Sequence, residues 1–416
     1  MCFPSIEIDQ GDVSALRDGE SVFILVQPGS FGKQTGLATQ ILARSAKGVA
    51  ALGNCVETLS RLSRYLPLNR TANRSKENKL LRRVICGLLI LACVSVGGAS
   101  QTGEPQLAEN TLSLDERLGN DDGAALAILF GANMRGILDL CDCSHPRGGL
   151  ARRVGYVEAF KRKFKETPVI QVEGGFFFSG SLGYAIADLR NEQSARAFSK
   201  FPPDVINLGR DDLPYAQKLL ARDGLGERVK SLSLIKNIIS ANGVFGPEVE
   251  KPAPYVIKEI GGPRIFGGKK KLKIGFVGLA APTNPGGGII DATVTNMFET
   301  ATKTVLKARK ECDVLVLVAH CDLASALRLA SENLEVDVVI AADSGGIFNP
   351  RRVGNTMVVT AAPGNIHEGD LRLYIDKEGQ INYKFRATEL DELVPVDPAA
   401  AAFVDAARAE RDRILR

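Results

Sequence analysis

Three sets of side chains carry chemistry by type and spacing. The first is Cys141-x-Cys143, with His145 two residues further on. Such a pair can close on itself as a disulfide, or offer soft ligands to a metal, with His145 and one of His320 and Cys321 completing four. So short a separation favours a labile disulfide over a structural one; the plain alternative is a disulfide to Cys312 or Cys321, or loop thiols. The second set is Arg135, two residues after Asn133, with Arg152, Arg153 and Arg210. Together they could hold phosphate or a sugar phosphate by bidentate contacts without any metal; the plain alternative for each is a solvated surface arginine. The third set is Asp211, Asp212, His320 and Asp343, carboxylates and an imidazole that suit one Mn, Zn or Fe ion. Otherwise Asp212 caps the helix expected from Pro214 and Asp343 sits in a turn. If the site is catalytic, Cys141, Cys143, Asp211 and His320 are the candidates for the chemical step.

These residues share a place in the pattern, just past apolar runs of strand length. Strands are expected at Ala125–Gly131, Val169–Val172, Val205–Leu208, Lys273–Leu279, Val314–Ala319, Val336–Ala341, Met357–Thr360, Leu371–Ile375 and Ile381–Phe385. Helices are expected at Leu150–Lys165, Pro214–Arg222, Val294–Arg309, Leu323–Asn333 and Pro398–Leu415. Central runs apolar on both faces, alternating with helices, indicate an α/β sandwich. The last strands follow one another without helices, so part of the sheet is expected to be antiparallel. Loops beyond the carboxyl ends of strands are where such folds do chemistry.

Composition narrows the function further. The 416 residues hold 52 Lys plus Arg against 48 Asp plus Glu, no Trp and 7 Tyr. That balance argues against a nucleic-acid partner, which calls for a basic excess or an aromatic stacking platform. The only histidines are His145, His320 and His367, too few for a His-rich dinuclear centre. Lys269–Lys273 reads as a charged turn before a strand, Gly286–Gly288 lacks the strand-to-helix setting of a phosphate loop, and His367 reads as a loop residue.

One upstream stretch has the three parts of a secretory signal. Lys79, Arg82 and Arg83 precede the apolar run Val84–Val96, which ends in Gly97-Gly98-Ala99-Ser100. The run is shorter than the roughly 20 residues a membrane span needs. Cys93, in Ile90-Leu91-Ala92-Cys93, resembles a lipobox cysteine, so a lipid anchor there and cleavage after Ala99 are both open. A signal belongs at a chain's start, which suggests translation beginning near Leu80 or Val84. The expected organisation is an upstream segment over 1–80, a signal over 81–99, a linker over 100–122, a catalytic-type domain over 123–392 and a C-terminal helix over 393–416. The location expected is extracytoplasmic, with membrane contact only through the signal or lipid. Four cysteines after Ala99 fit a disulfide-permissive compartment.

The ordered motifs Gly131–Gly136, Glu173-Gly174-Gly175, Gly209-Arg210-Asp211-Asp212, Ser240-Ala241-Asn242, Val316–His320 and Asp343-Ser344-Gly345 resemble those of the calcineurin-like metallophosphoesterases. The resemblance, over about Gly123 to Asp391, is greatest to the catalytic domain of bacterial 5′-nucleotidases and UDP-sugar hydrolases, in a branch with Cys-x-Cys after the first strand. It implies a four-layer αββα sandwich and phosphoester hydrolysis. The departures fall on the metal ligands. Asn133 and Arg135 stand where the family has Asp-x-His, and Gly175 stands where it has the bridging Asp. Arg210 and Asp211 replace the Asn and His of Gly-Asn-His, and Asp343 and Gly345 replace the paired His. Only His320 stands where the family has a metal-binding His. Two metals need a bridging carboxylate and ligands that offset their charge, so no standard dinuclear centre is expected, and at most one divalent ion. The nucleobase-binding domain of the nucleotidases is expected to have no counterpart here. A remodelled phosphoesterase, a non-catalytic phosphate- or partner-binding domain and a thiol redox protein all remain open.

Overall fold

The computed structural model describes residues 112–415 apart from 181–182, 222–232, 266–270, 283–292 and 379. The upstream segment 1–80, the signal 81–99 with Cys93, the first part of the linker, Lys269–Lys270 and Gly286–Gly288 lie outside the described residues. The amino-terminal half of the fold comprises α1 (Leu114–Leu118), β1 (Leu126–Gly131), α2 (Leu150–Lys163), β2 (Val169–Glu173), α3 (Ala185–Lys200), β3 (Val205–Asn207), α4 (Leu213–Leu219), β4 (Ile238–Ile239) and β5 (Tyr255–Gly261). The rest comprises β6 (Lys271–Ala280), α5 (Met297–Ala308), β7 (Val314–His320), α6 (Leu323–Glu332), β8 (Val338–Ala341), β9 (Arg351–Val353), β10 (Thr356–Thr360), β11 (His367–Ile375), β12 (Ile381–Glu389) and α7 (Pro398–Leu415).

The strands form two six-stranded sheets, ordered β12-β11-β1-β2-β3-β4 and β5-β6-β7-β8-β10-β9. In the first sheet β1 through β4 run parallel and β11 joins β1 antiparallel. In the second, β6, β7, β8 and β10 run parallel, with β5 and β9 antiparallel at the edges. The all-apolar β1 shows why the sequence stacks in layers. Ile128 and Phe130 point between the sheets, packing with Ile170, Val172, Phe276, Val316, Val318 and Ile340. Ala127 and Leu129 point outward into a second core with Tyr156, Phe160 and Phe164. Period-two alternation with both faces apolar requires cover on both sides; α2, α3 and α7 supply it for the first sheet, α5 and α6 for the second. The result is the expected αββα sandwich.

Two differences from the sequence reading have local causes. Leu114–Leu118, inside the expected linker, is a helix capped by Ser113 and Glu116, and it buries Leu114 and Leu118 against the outer core. Helix α3 lies where no helix is expected, because its buried face carries Asn191, Gln193 and Ser194 as well as Leu189 and Phe198. A helix that buries amides shows no apolar periodicity.

Candidate functional site

The parallel strands aim their carboxyl ends at one place. Asn133, past β1, has φ 64° and is 1% exposed. Its N–H donates to Gly175 O at 2.9 Å and its amide to Ala342 O at 2.7 Å, past β2 and β8. That fixes Oδ1 as the acceptor toward His320 Nε2 at 3.1 Å, so the ring carries its proton on Nε2. Asn133 thus ties β1, β2, β7 and β8 together through neutral groups. Burial pushes the His320 pKa down to about 4; Asp343 opposes the shift, and Arg210 and Arg135 reinforce it. The imidazole is therefore neutral at physiological pH.

Glycines keep the centre closed. Gly175 has φ 122°, and a Cβ there would stand 2.8 Å from Gly209 N and 3.1 Å from the His320 ring. A Cβ on Gly209 would meet Phe176 N at 2.9 Å and His320 Nδ1 at 3.0 Å. The position that would supply a bridging carboxylate therefore has neither a side chain nor room for one. Asp212, expected as a ligand or helix cap, stands at the N-cap position of α4, but its side chain makes no capping bond there. Its Oδ2 accepts from Phe176 N at 2.5 Å and Gly209 N at 2.8 Å, and its Oδ1 from Phe178 N at 2.8 Å. Burial raises this carboxyl, and the three N–H donors oppose that rise and favour the ionised form. Its oxygens are committed to holding the loops after β2 and β3.

The residues present do not fit the pair of divalent metals that the fold implies. Asn133 spends its amide on His320 and Ala342, Gly175 offers nothing, and Asp212 accepts three backbone N–H groups. Among the described residues, no group of three or more His, Cys, Asp and Glu side chains could hold a metal ion. Asp212, His320 and Asp343 accordingly do not assemble into the single-metal site that sequence suggested, nor do Cys141, Cys143, His145, His320 and Cys321. Asp211 instead pairs with Arg210 at 3.1 Å.

The four arginines separate. Arg153 is 6% exposed on α2 and bonds to Glu173 at 2.5 Å and Glu368 at 3.0 Å, so it is a structural ion and not a ligand for substrate. Arg152 donates to Pro146 O at 2.6 Å and Leu390 O at 3.3 Å, tying the β1–α2 loop to the end of β12. Buried Asn133, expected beside substrate, is likewise structural. Arg135 remains: it is exposed at φ 55°, with its guanidinium 5.0 Å from the centroid of Phe176. The Phe176 ring in turn meets the His320 ring edge-on at 6.1 Å. Arg135, Arg210, Asp211 and Asp343 thus surround the buried His320 as a charged rim.

Cys141 and Cys143 are bonded to each other, while Cys312 and Cys321 are free. Sequence reasoning passed over three contributors. Glu173 and Glu368 are buried beneath α2, and Arg153 partly offsets the burial that raises both carboxyls, Glu368 to about 7. Asn207 bridges the sheets by donating to Gly174 O at 3.0 Å and Leu279 O at 2.9 Å. An acid ending an apolar strand, as Glu173 does, is the signal that would have found the first.

No family profile matches the chain. It is 24% identical over 132 residues to an uncharacterized metallophosphoesterase, YunD, of Bacillus subtilis, covering 31% of this chain and 26% of the relative. Among solved structures it is similar to a 5′-nucleotidase precursor from Thermus thermophilus, with TM-score 0.57 and 20% identity over 70% of this chain and 60% of that one. It is also similar to the calcineurin-like phosphoesterase YfkN of Bacillus subtilis, with TM-score 0.54 and 17% identity over 69% of this chain and 98% of that one. The NAD nucleotidase of Haemophilus influenzae gives TM-score 0.55 and 15% identity over 69% and 67%. The chain thus spans about a quarter of its curated relative and 60% of the Thermus nucleotidase. At such identities these likenesses are ones of fold.

Proposed function

Because the chain has the calcineurin-like metallophosphoesterase fold, we propose that it keeps that phosphate-handling architecture while having given up the dinuclear metal centre, and that it binds a phosphate-containing ligand at the rim of the altered site. The observation that carries this reading is the closed centre. Gly175 faces Gly209 and His320 too closely for a side chain, and Asn133 bonds to His320 where ligands would be needed. Arg135, exposed and stacked on Phe176, presents a forked donor to an anion, and Arg210, paired with Asp211, lies close enough to the same His320 to act on its charge. Asp211 and Asp343 would accept from hydroxyl groups on the same ligand, which favours a sugar phosphate over bare phosphate.

On this reading the chain orients a phosphate ester by two guanidinium groups and does not hydrolyse it through metals. The signal-like run Val84–Val96 supports export as part of the same proposal, with a lipid at Cys93 as one form of it. Calorimetric titration of the purified chain with glucose 1-phosphate and with inorganic phosphate tests the ligand. Arg135→Ala is expected to weaken binding by roughly tenfold, the scale of one charge-assisted pair. Unchanged affinity, or metal-dependent release of phosphate from the ester, would overturn the reading.

A further inference from the structure

The loop between β1 and α2 carries a second chemical group that phosphate binding does not use. The disulfide Cys141–Cys143 sits at its tip. Residues 142–146 are exposed and Cys141 is half-buried, so the two sulfurs face different surroundings. The loop is tied on both sides of the bond. Cys141 N–H donates to Arg147 O at 2.9 Å and Gly148 N–H to Leu390 O at 2.8 Å, while the Arg147 guanidinium pairs with Glu389. The Arg147 N–H also points at Cys141 Sγ, 3.2 Å away. A backbone N–H aimed at sulfur favours the thiolate over the thiol. Cys143 is thus the sulfur an incoming group can reach, and Cys141 the one prepared to accept negative charge.

We propose that Cys141–Cys143 is a thiol–disulfide exchange site acting on external thiols, independent of the phosphate reading. A thiolate RS⁻ attacks Cys143 Sγ, the Cys141–Cys143 bond breaks, and its electron pair goes to Cys141 Sγ against the Arg147 N–H. The product is the mixed disulfide RS–S–Cys143. A second thiolate attacks the R sulfur, releasing RSSR and leaving Cys143 as thiolate. Two thiols are oxidised by two electrons, the protein disulfide is reduced by two, and the thiols' protons finish on Cys141 and Cys143. Ile137 and Leu140, exposed apolar side chains on the same loop, suit a cysteine-bearing peptide better than a small hydrophilic thiol.

The test uses the native chain. It is incubated with one equivalent of either glutathione or an apolar cysteine peptide, quenched with iodoacetamide and mapped by tandem mass spectrometry. The expected result is the added thiol on Cys143 and the alkyl group on Cys141, with the peptide giving more adduct than glutathione. An adduct mainly on Cys141, or none from either thiol at any time point, would overturn the proposal. A Cys141→Ser variant, whose fold is checked by its melting curve, is loaded with the symmetrical disulfide of the same peptide, which leaves one half on Cys143 and releases the other as thiol. Once free thiol is removed it should retain the mixed disulfide, because the sulfur that attacks back is gone. Rapid loss of the adduct in that variant would also contradict it.

Discussion

The most informative single residue is Asp212, because its carboxylate meets only donors. Oδ1 and Oδ2 together take the N–H groups of Phe176, Phe178 and Gly209. Asp212→Asn would turn an NH₂ toward at least one of them, so a loss of about 2–3 kcal/mol is expected in urea unfolding. A metal-ligand role predicts instead little change in stability without metal. His320 gives a pH signature. An unfolded imidazole titrates near 6.5 and the folded one at about 4. Between those values the unfolded chain binds more protons, so stability from this group is full above pH 6.5 and is lost as pH falls toward 4. Glu368, raised to about 7 from 4.5, acts oppositely over an overlapping window: its stability is full below pH 4.5 and falls as pH rises to 7. The measurable quantity is therefore the difference between wild type and His320→Gln, which should grow by about 3 kcal/mol at most from pH 4 to 6.5. A difference independent of pH would show that His320 is not buried neutral.

At the scale of elements, helix α2 is pinned to the first sheet by a charge it cannot release. Arg153 joins the helix to Glu173 on β2 and Glu368 on β11. Arg153→Ala would leave two buried carboxylates facing each other, at an expected cost of about 3–5 kcal/mol by chemical denaturation. A substrate-binding Arg153 would instead lower affinity with stability unchanged. Gly155 on the same helix admits the chain that leads into α7: a Cβ there would lie 1.8 Å from Pro395 O, so Gly155→Ala should loosen α7 and lower the melting temperature. How much was legible follows from the same elements. Strands β1, β6 and β7 announce themselves as apolar runs, and α7 has the bounds its sequence indicates, since periodicity reports burial of apolar faces. Helix α3 stays hidden because it buries Asn191 and Gln193, and edge strand β5 because Tyr255–Gly261 is only partly covered. At the site, the residue types that depart from the family's motifs were legible in the sequence. That Arg152, Arg153 and Asn133 are structural was not, since an arginine facing solvent and one facing Glu173 look alike in sequence.

At the scale of the two mixed sheets, the ends of β1, β2, β3, β7 and β8 meet at one centre, in a fold shared with the phosphoesterases. That centre holds an amide, a neutral imidazole, two glycines and a carboxyl that accepts three backbone N–H groups. Phe130, Phe276 and Val316 pack between the sheets in a core that does not include the loop residues of that centre. Gly175→Asp is expected to destabilise the chain without conferring metal-dependent phosphatase activity, because its Cβ meets Gly209 and His320. The measurement that tests this account most directly is the metal content of the full chain, expressed with added Mn, Zn and Fe and purified without chelator, by elemental analysis per mole of protein. Well below one equivalent of any metal is the expected result. Two equivalents, retained through gel filtration, would contradict it and return the site to two-metal chemistry.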